Sequence, residues 1–183
     1  LEAIFQKTVW DVIDTEVINH HHLQLTTFYP NHDLAIPTTL QPDGNLLQGV
    51  VHDPKARVLK SHAGNAGLFS DLNDLVRISQ NYLGLRDDIL PLSDATISAL
   101  FENKVGPNLT PRSWGWDLRF DPLDGHALIY HTGFTGTFMI LDRQLQSGMI
   151  VLTNRIHPSG HNQIFLAARD QIVRQFLLEN KKD

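Results

Sequence analysis

The chain contains no cysteine among its 183 residues. That absence removes disulfide frameworks, thiolate chemistry and the common structural zinc sites together, and it leaves the redox compartment open. A basic patch is also missing: 15 Lys and Arg against 20 Asp and Glu give a formal charge of -5, and the cations are scattered. Nucleic acid is therefore not an expected partner. No apolar run approaches the roughly 20 residues that cross a bilayer, so no membrane span is expected in this segment. There is no internal repeat and no low-complexity tract. The first residue is Leu1 and not methionine, which leads us to expect a piece of something longer, and no signal region can be read to fix a compartment.

What is present is a hydrophobic content of 42%, enough at this length for one domain with a core. "LEAIFQKTVWDVI" has Leu1, Ile4, Phe5, Val9, Trp10 and Ile13 at helical spacing, so residues 1–20 are expected to be helical. Residues 21–66, with their prolines, Asp and Asn, read as a long loop region with at most short strands. "SDLNDLVRISQNYLG" predicts a helix capped by Ser70 or Asp71, stopped at Gly84, with Leu72, Leu75, Val76, Tyr82 and Leu83 on one face. "LSDATISALFEN" predicts another, capped by Ser93 and burying Ile97, Leu100 and Phe101. From residue 113 the period changes. "WGWDLRF", "HALIYHTG", "GTFMILD" and "GMIVLTN" read as strands joined by "DPLDG", "GFTG" and "RQLQS". Spacers this short favour antiparallel neighbours. The last stretch carries Ile164, Phe165, Ala168, Ile172, Val173, Phe176 and Leu177 along one helical stripe that should lie across the sheet. The fold class is α+β: a three-to-four-stranded antiparallel meander with flanking helices.

"HTGFTGTF", residues 131–138, puts two glycines and two hydroxyls between apolar strand segments. Glycine within a strand pattern marks a bend or a close approach to the main chain. The order of strand, "HTG", glycine turn, strand ending in Asp, "GMIVLTNRIHP" and terminal helix resembles the C-terminal part of the serine β-lactamase and penicillin-binding protein superfamily, in its class C and esterase-like branches. "HAGNAGLFSDLNDLVRISQNYL" is similar to that family's glycine-rich loop and helix, and "WGWDL" to its Gly-Trp segment. The resemblance covers roughly residues 45–178, in order. "QLTTFYP" fits less securely, and "DTEVINHHH" looks like an insertion.

The resemblance implies a β-lactamase/transpeptidase-like fold and a serine hydrolase that forms an acyl-enzyme from an ester, a D-amino-acid peptide or a β-lactam. It implies that the triplet lies on an edge strand, with the main-chain N–H of Phe134 as an oxyanion donor. His131 would stand near the nucleophile, Thr132 would bond substrate or the proton network, and Gly133 would keep the approach open. The edge from Thr132 to Thr135 would pair with extended substrate, and Gly136 and Asn154 would help bind it. No cofactor and no metal are implied. The family's Ser-x-x-Lys is absent: none of Ser61, Ser70, Ser79, Ser93, Ser98, Ser113, Ser147 and Ser159 has lysine three residues later. "YPN" at Tyr29–Asn31 matches Tyr-x-Asn literally but out of position, and is taken as coincidence. Both motifs belong N-terminal to this region in relatives. The expectation is thus half an active site, inactive alone, whose partners are a small-molecule or peptide substrate and the missing N-terminal part, with self-association possible through an exposed sheet edge.

Each feature also has a plainer explanation. His131 is otherwise an ordinary strand histidine, and Gly64 and Gly67 otherwise only shape a turn. His20–His22 reads as a solvated loop before it reads as a metal site, because adjacent histidines do not share a helix face. Trp114 and Trp116 read as one surface and one core aromatic on a strand. Asn154 reads as a turn-forming amide ending a strand, and Ile156 stands where class C β-lactamases tend to be polar, which weighs against β-lactam recognition. The alternative function is a non-catalytic module that keeps the cleft for a cell-wall peptide or a protein.

Overall fold

Four apolar segments separated by tight turns can pair only with their sequence neighbours. The computed structural model, which describes residues 1–59, 63–86, 92–158, 160 and 162–179, shows that arrangement. Strands β1 (Asp117–Phe120), β2 (Ala127–Thr132), β3 (Phe138–Asp142) and β4 (Ser147–Val151) form one antiparallel sheet in the order β1-β2-β3-β4. The register pairs Asp117 with Tyr130, Ile129 with Leu141, Thr132 with Phe138 and Ile140 with Met149.

Alternation along the strands splits the core into two layers. On one face Leu128, Tyr130, Phe138 and Ile140 pack with Val173, Phe165, Phe176 and Leu177 of helix α6 (Gln163–Glu179). The terminal helix does cover a sheet face, but the expected stripe is narrower, since Ile164 is 84% and Ile172 41% exposed. On the other face Leu118, Ile129 and Leu141 pack with Leu83, Leu100, Phe101 and Trp116. Each fully buried Leu or Ile of these layers contributes about 1.5–3 kcal/mol of apolar burial. Strand β1 begins at Asp117, later than "WGWDLRF" suggested, because Gly115 takes φ +79 and turns the chain; neither Trp114 nor Trp116 lies in a strand.

Two compact units are distinguishable: residues 1–78 with 154–161, and residues 79–153 with 162–183. In the second, helix α5 (Asp94–Leu100) is capped as expected by Ser93, which accepts from the Thr96 amide, and it buries Ile97. In the first, the N-terminal helix is interrupted. Helix α1 (Glu2–Phe5) ends at Gln6 with φ 51, helix α2 (Val9–Ile13) restarts behind a Thr8 cap, and a π-helical segment, Asp14–Asn19, follows. Its buried residues are Val12 and Ile18, whereas Ile4 is 80% exposed. The region 21–66 is more structured than a loop, with a 3-10 turn at His32–Leu34 and helix α3 (Pro54–Val58). The Asp53-Pro54 pair signals α3 directly: an N-cap carboxylate accepts from Ala56 and proline occupies the first turn. Asn31 of "YPN" caps the 3-10 turn, and His21, expected in solvent, is buried.

Helix α4 (Leu72–Tyr82) starts from an Asp71 cap that accepts the Asp74 amide at 2.9 Å. Its buried side differs from the apolar stripe expected: Leu72 is 51% exposed, while Asp74, Ser79 and Asn81 are buried. Of the residues considered above, Ser61, His62, Ser159 and positions 180–182 lie outside the described residues.

Candidate functional site

The His-Thr-Gly triplet ends strand β2. The expected edge strand is corrected here: β2 is second of four, flanked by β1 and β3. The correction is partial in its effect, because the β1 ladder stops at the Asp117/Tyr130 pair and does not reach His131 or Thr132. The Gly133 amide donates to Thr137 O at 2.7 Å. Antiparallel pairs alternate between bonded and non-bonded, so the next pair inward, Thr132/Phe138, is non-bonded. The N–H and C=O of Thr132 consequently point away from β3, toward the side where β1 has ended.

Beyond Thr132 the chain makes a tight hairpin. The Gly136 amide donates to Gly133 O at 3.0 Å, closing a four-residue turn with Phe134 and Thr135 at its centre. Positive φ is found at Gly136 (+115) and not at Thr135, which selects a type I turn followed by a left-handed glycine. The glycine-rich composition has two local causes. Gly136 supplies the left-handed residue, and a Cβ on Gly133 would fall 2.4 Å from Thr137 Oγ1. Thr153 Oγ1 donates to Gly136 O at 2.7 Å and ties the turn to the chain that leaves β4.

This geometry puts the Phe134 amide at the first central position of the turn, outside the ladder, and the residue is 67% exposed. The amide at the first central position of a type I turn takes no part in the turn's own bond from residue i+3 to residue i. A backbone donor in that position is suited to an anionic oxygen on a bound group. His131 is exposed on the face opposite α6, and its ring lies 6.0 Å from Trp116 at 90°. The triplet and turn thus bring together His131, Thr132, Gly133, Phe134, Thr135 and Gly136.

Asn154 belongs to the other unit and is described apart. It lies three residues beyond the end of β4, not at a strand terminus, and its Nδ2 donates to Pro37 O. His157 Nδ1 also meets Thr38 O at 3.0 Å, and the Leu40 amide donates to Pro158 O, so this stretch is fastened to residues 37–40. Ile156 is fully buried.

Two polar constructions escaped the sequence reading. Asp74 is 2% exposed; its carboxylate accepts from the amides of Gln24, Leu25 and Thr26 and from the Thr26 hydroxyl. Burial raises its pKa, but the Gln24 and Leu25 amides with the Thr26 hydroxyl and amide outweigh that and hold it below 3.8. At the far end of β2, His126 bridges Asp124 (2.5 Å from Nδ1) and the fully buried Asp142 (3.0 Å from Nε2). Burial lowers the His126 pKa, and the two carboxylates more than reverse it. Asp121, Asp124 and His126 present ligand atoms within 4.8 Å of one another, a spacing that could hold a cation. Both His126 nitrogens are already engaged by carboxylates, and Asp121 accepts from the amides of Leu123 and Asp124.

Comparison with known proteins gives this geometry its context. The chain is 33% identical over 127 residues to the N-acetylmuramyl-L-alanine amidase of Bacillus subtilis, covering 62% of this chain and 28% of that protein. It shares its fold with a class C β-lactamase of Rhodobacter sphaeroides, at TM-score 0.68 and 13% identity over 96% of this chain and 56% of that one. A variant of simvastatin synthase from Aspergillus terreus superposes equally, at TM-score 0.68 and 13% identity over 98% and 53%. The chain therefore spans under a third of the curated relative and about half of each solved structure. The β-lactamase family model matches residues 1–171, and with the antiparallel sheet, covering helix and His-Thr-Gly turn in place, the chain belongs to the β-lactamase family.

Proposed function

We propose that this chain is the C-terminal part of a serine hydrolase that works through an acyl-enzyme, and that its His-Thr-Gly turn receives the reacting carbonyl. The serine Oγ, carried by a Ser-x-x-Lys in sequence preceding Leu1, attacks the carbonyl carbon and gives its proton to a neighbouring base. The carbonyl π electrons move to oxygen, and the Phe134 amide donates to that oxyanion. Collapse expels the amine or alcohol with a proton, leaving a serine ester that water then hydrolyses. Thr132 offers its outward peptide groups and, with Thr135, holds extended substrate as an added strand. Gly133 and Gly136 keep the backbone tight, and His131 borders the proton-handling groups.

The single observation that supports this most is the placement of Phe134: a backbone donor at the centre of a tight turn, immediately beyond a strand end whose flanking ladder has stopped. Among substrates, the amidase name of the Bacillus subtilis relative favours an amide of a cell-wall peptide over a simple ester or a β-lactam.

The test uses the full-length protein, assayed on muramyl peptides and p-nitrophenyl esters and labelled with fluorescent penicillin. Turnover or covalent labelling at a serine is expected, and none for residues 1–183 alone. A complete gene with no Ser-x-x-Lys upstream, together with inert full-length protein that binds cell-wall peptide, would instead establish a binding module.

A further inference from the structure

His131 is the penultimate residue of β2 and is exposed. Its cross-strand partner is Met139, and the neighbouring strand β1 has already ended. Among the described residues, one aromatic ring stands against it. The Trp116 and His131 centroids are 6.0 Å apart with planes at 90°, the edge-to-face arrangement that aromatic rings prefer.

Trp116 meets a second ring as well. Tyr82, the last residue of α4, meets the indole at 6.0 Å and 87°, and Tyr82 and Trp116 both pack on the layer of Leu83, Leu118, Ile129 and Leu141. The Trp116 carbonyl accepts from the Ser113 amide at 2.9 Å, and Gly115 takes the φ of +79 that lets the chain arrive there. Three segments distant in sequence thus converge as a row of rings, Tyr82, Trp116 and His131, that runs from the core to the strand end.

We infer that Trp116 is a positioning residue for His131, with Tyr82 as its support. An edge-to-face contact favours one imidazole rotamer by roughly threefold to tenfold over a side chain left in solvent. Catalytic geometry is steep enough that misplacing a working group by an ångström costs on the order of 100-fold in rate. "WGWDL" therefore contains two tryptophans with different tasks. Trp114, 59% exposed with Lys104 Nζ 5.0 Å from its ring centroid, is a surface residue and serves as the control. The inference rests on the proposed hydrolase reading only where it concerns rate; the orientation of the ring stands independently of it.

The experiment combines kinetics on a p-nitrophenyl ester with NMR of histidine-labelled full-length protein, the His131 signals being assigned by their loss in His131→Gln. Trp116→Leu is expected to lower kcat about threefold to tenfold with KM within about twofold, and to shift the His131 ring resonances. Trp116→Phe should restore most of both, and Trp114→Leu should change neither. Unchanged kcat and unchanged His131 signals in Trp116→Leu overturn the inference. Inactive wild type whose His131 signals still respond to Trp116→Leu and return in Trp116→Phe would remove the hydrolase reading and support the positioning. Should Trp116→Leu fail to fold by circular dichroism, Tyr82→Ala decides: moved His131 signals support the row of rings, and unmoved signals overturn it.

Discussion

Replacing Asp74 by alanine should be among the most destabilising single substitutions in residues 1–78. The carboxylate is 2% exposed and receives the Leu25 and Thr26 amides at 2.8 Å each, the Gln24 amide at 2.9 Å and the Thr26 hydroxyl at 2.8 Å. A hydrogen bond to a charged group is worth about 1.5–3 kcal/mol, and the contributions do not add fully. Leu25 is 48% exposed, so water can replace part of what is lost there, while the Thr26 groups are buried. The expected loss is about 3–5 kcal/mol, a large part of a typical domain stability of roughly 5–15 kcal/mol. Asparagine retains an oxygen where Oδ2 accepts most of these donors, and should cost about half as much. The sign with pH follows from the depressed pKa. Asp74 contributes its stability above the unfolded value near 3.8, and the contribution disappears as pH falls through the lower folded value. Urea unfolding at pH 7 and in steps below pH 4 measures the loss, and hydrogen exchange at Gln24, Leu25 and Thr26 locates it. An alanine variant within about 0.5 kcal/mol of wild type, or rapid exchange of those amides in wild type, would refute the reasoning.

His126 is expected to give the opposite pH slope. Its raised pKa means that its contribution is complete below the ordinary 6.5 and is lost as pH rises through the folded value, while Asp124, at about 2, stays ionised throughout. The urea midpoint of wild type should therefore fall relative to His126→Gln between pH 5.5 and 8.5, and a relative rise would contradict the assignment. Gly133→Ala should cost about 1–3 kcal/mol, because its Cβ meets Thr137 Oγ1 at 2.4 Å. Thr137→Ala in the same chain should recover most of that, since the next atoms lie at 3.5 and 3.7 Å; a double-mutant cycle with no coupling energy would rule the collision out.

The sheet was legible in the sequence because its information is local. Spacers of a few residues between β-rich segments leave only neighbouring antiparallel pairings, and the observed order β1-β2-β3-β4 is the simplest of them. Ser93 as a cap and Ile97 as a buried residue were legible for the same reason. Asp74 was not. Pattern reading equates burial with apolar character, whereas this helix turns a carboxylate inward to amides about 50 residues earlier, and Leu72 is left in solvent. The break at Gln6 has no signal in its composition, since glutamine carries no preference for the positive φ it adopts. The site was half legible. The glycines announced a turn, but β2 as an interior strand whose flanking ladder stops short depends on where Gly115 turns the chain before β1. Likewise, the pairing of Trp116 with His131 follows from register, and spacing alone separates them by 15 positions.

Phe134→Pro in the full-length protein, compared with Phe134→Ala, probes the oxyanion donor with least disturbance to the turn. Proline suits the first central position of a type I turn, so it deletes the N–H while the bonds from Gly133 and Gly136 keep their places. Alanine deletes the phenyl ring and retains the N–H. The account predicts that kcat on a p-nitrophenyl ester falls about 100- to 1,000-fold in the proline variant and stays within a few-fold in the alanine variant. Equal kcat in the two variants, with both folded, would contradict it.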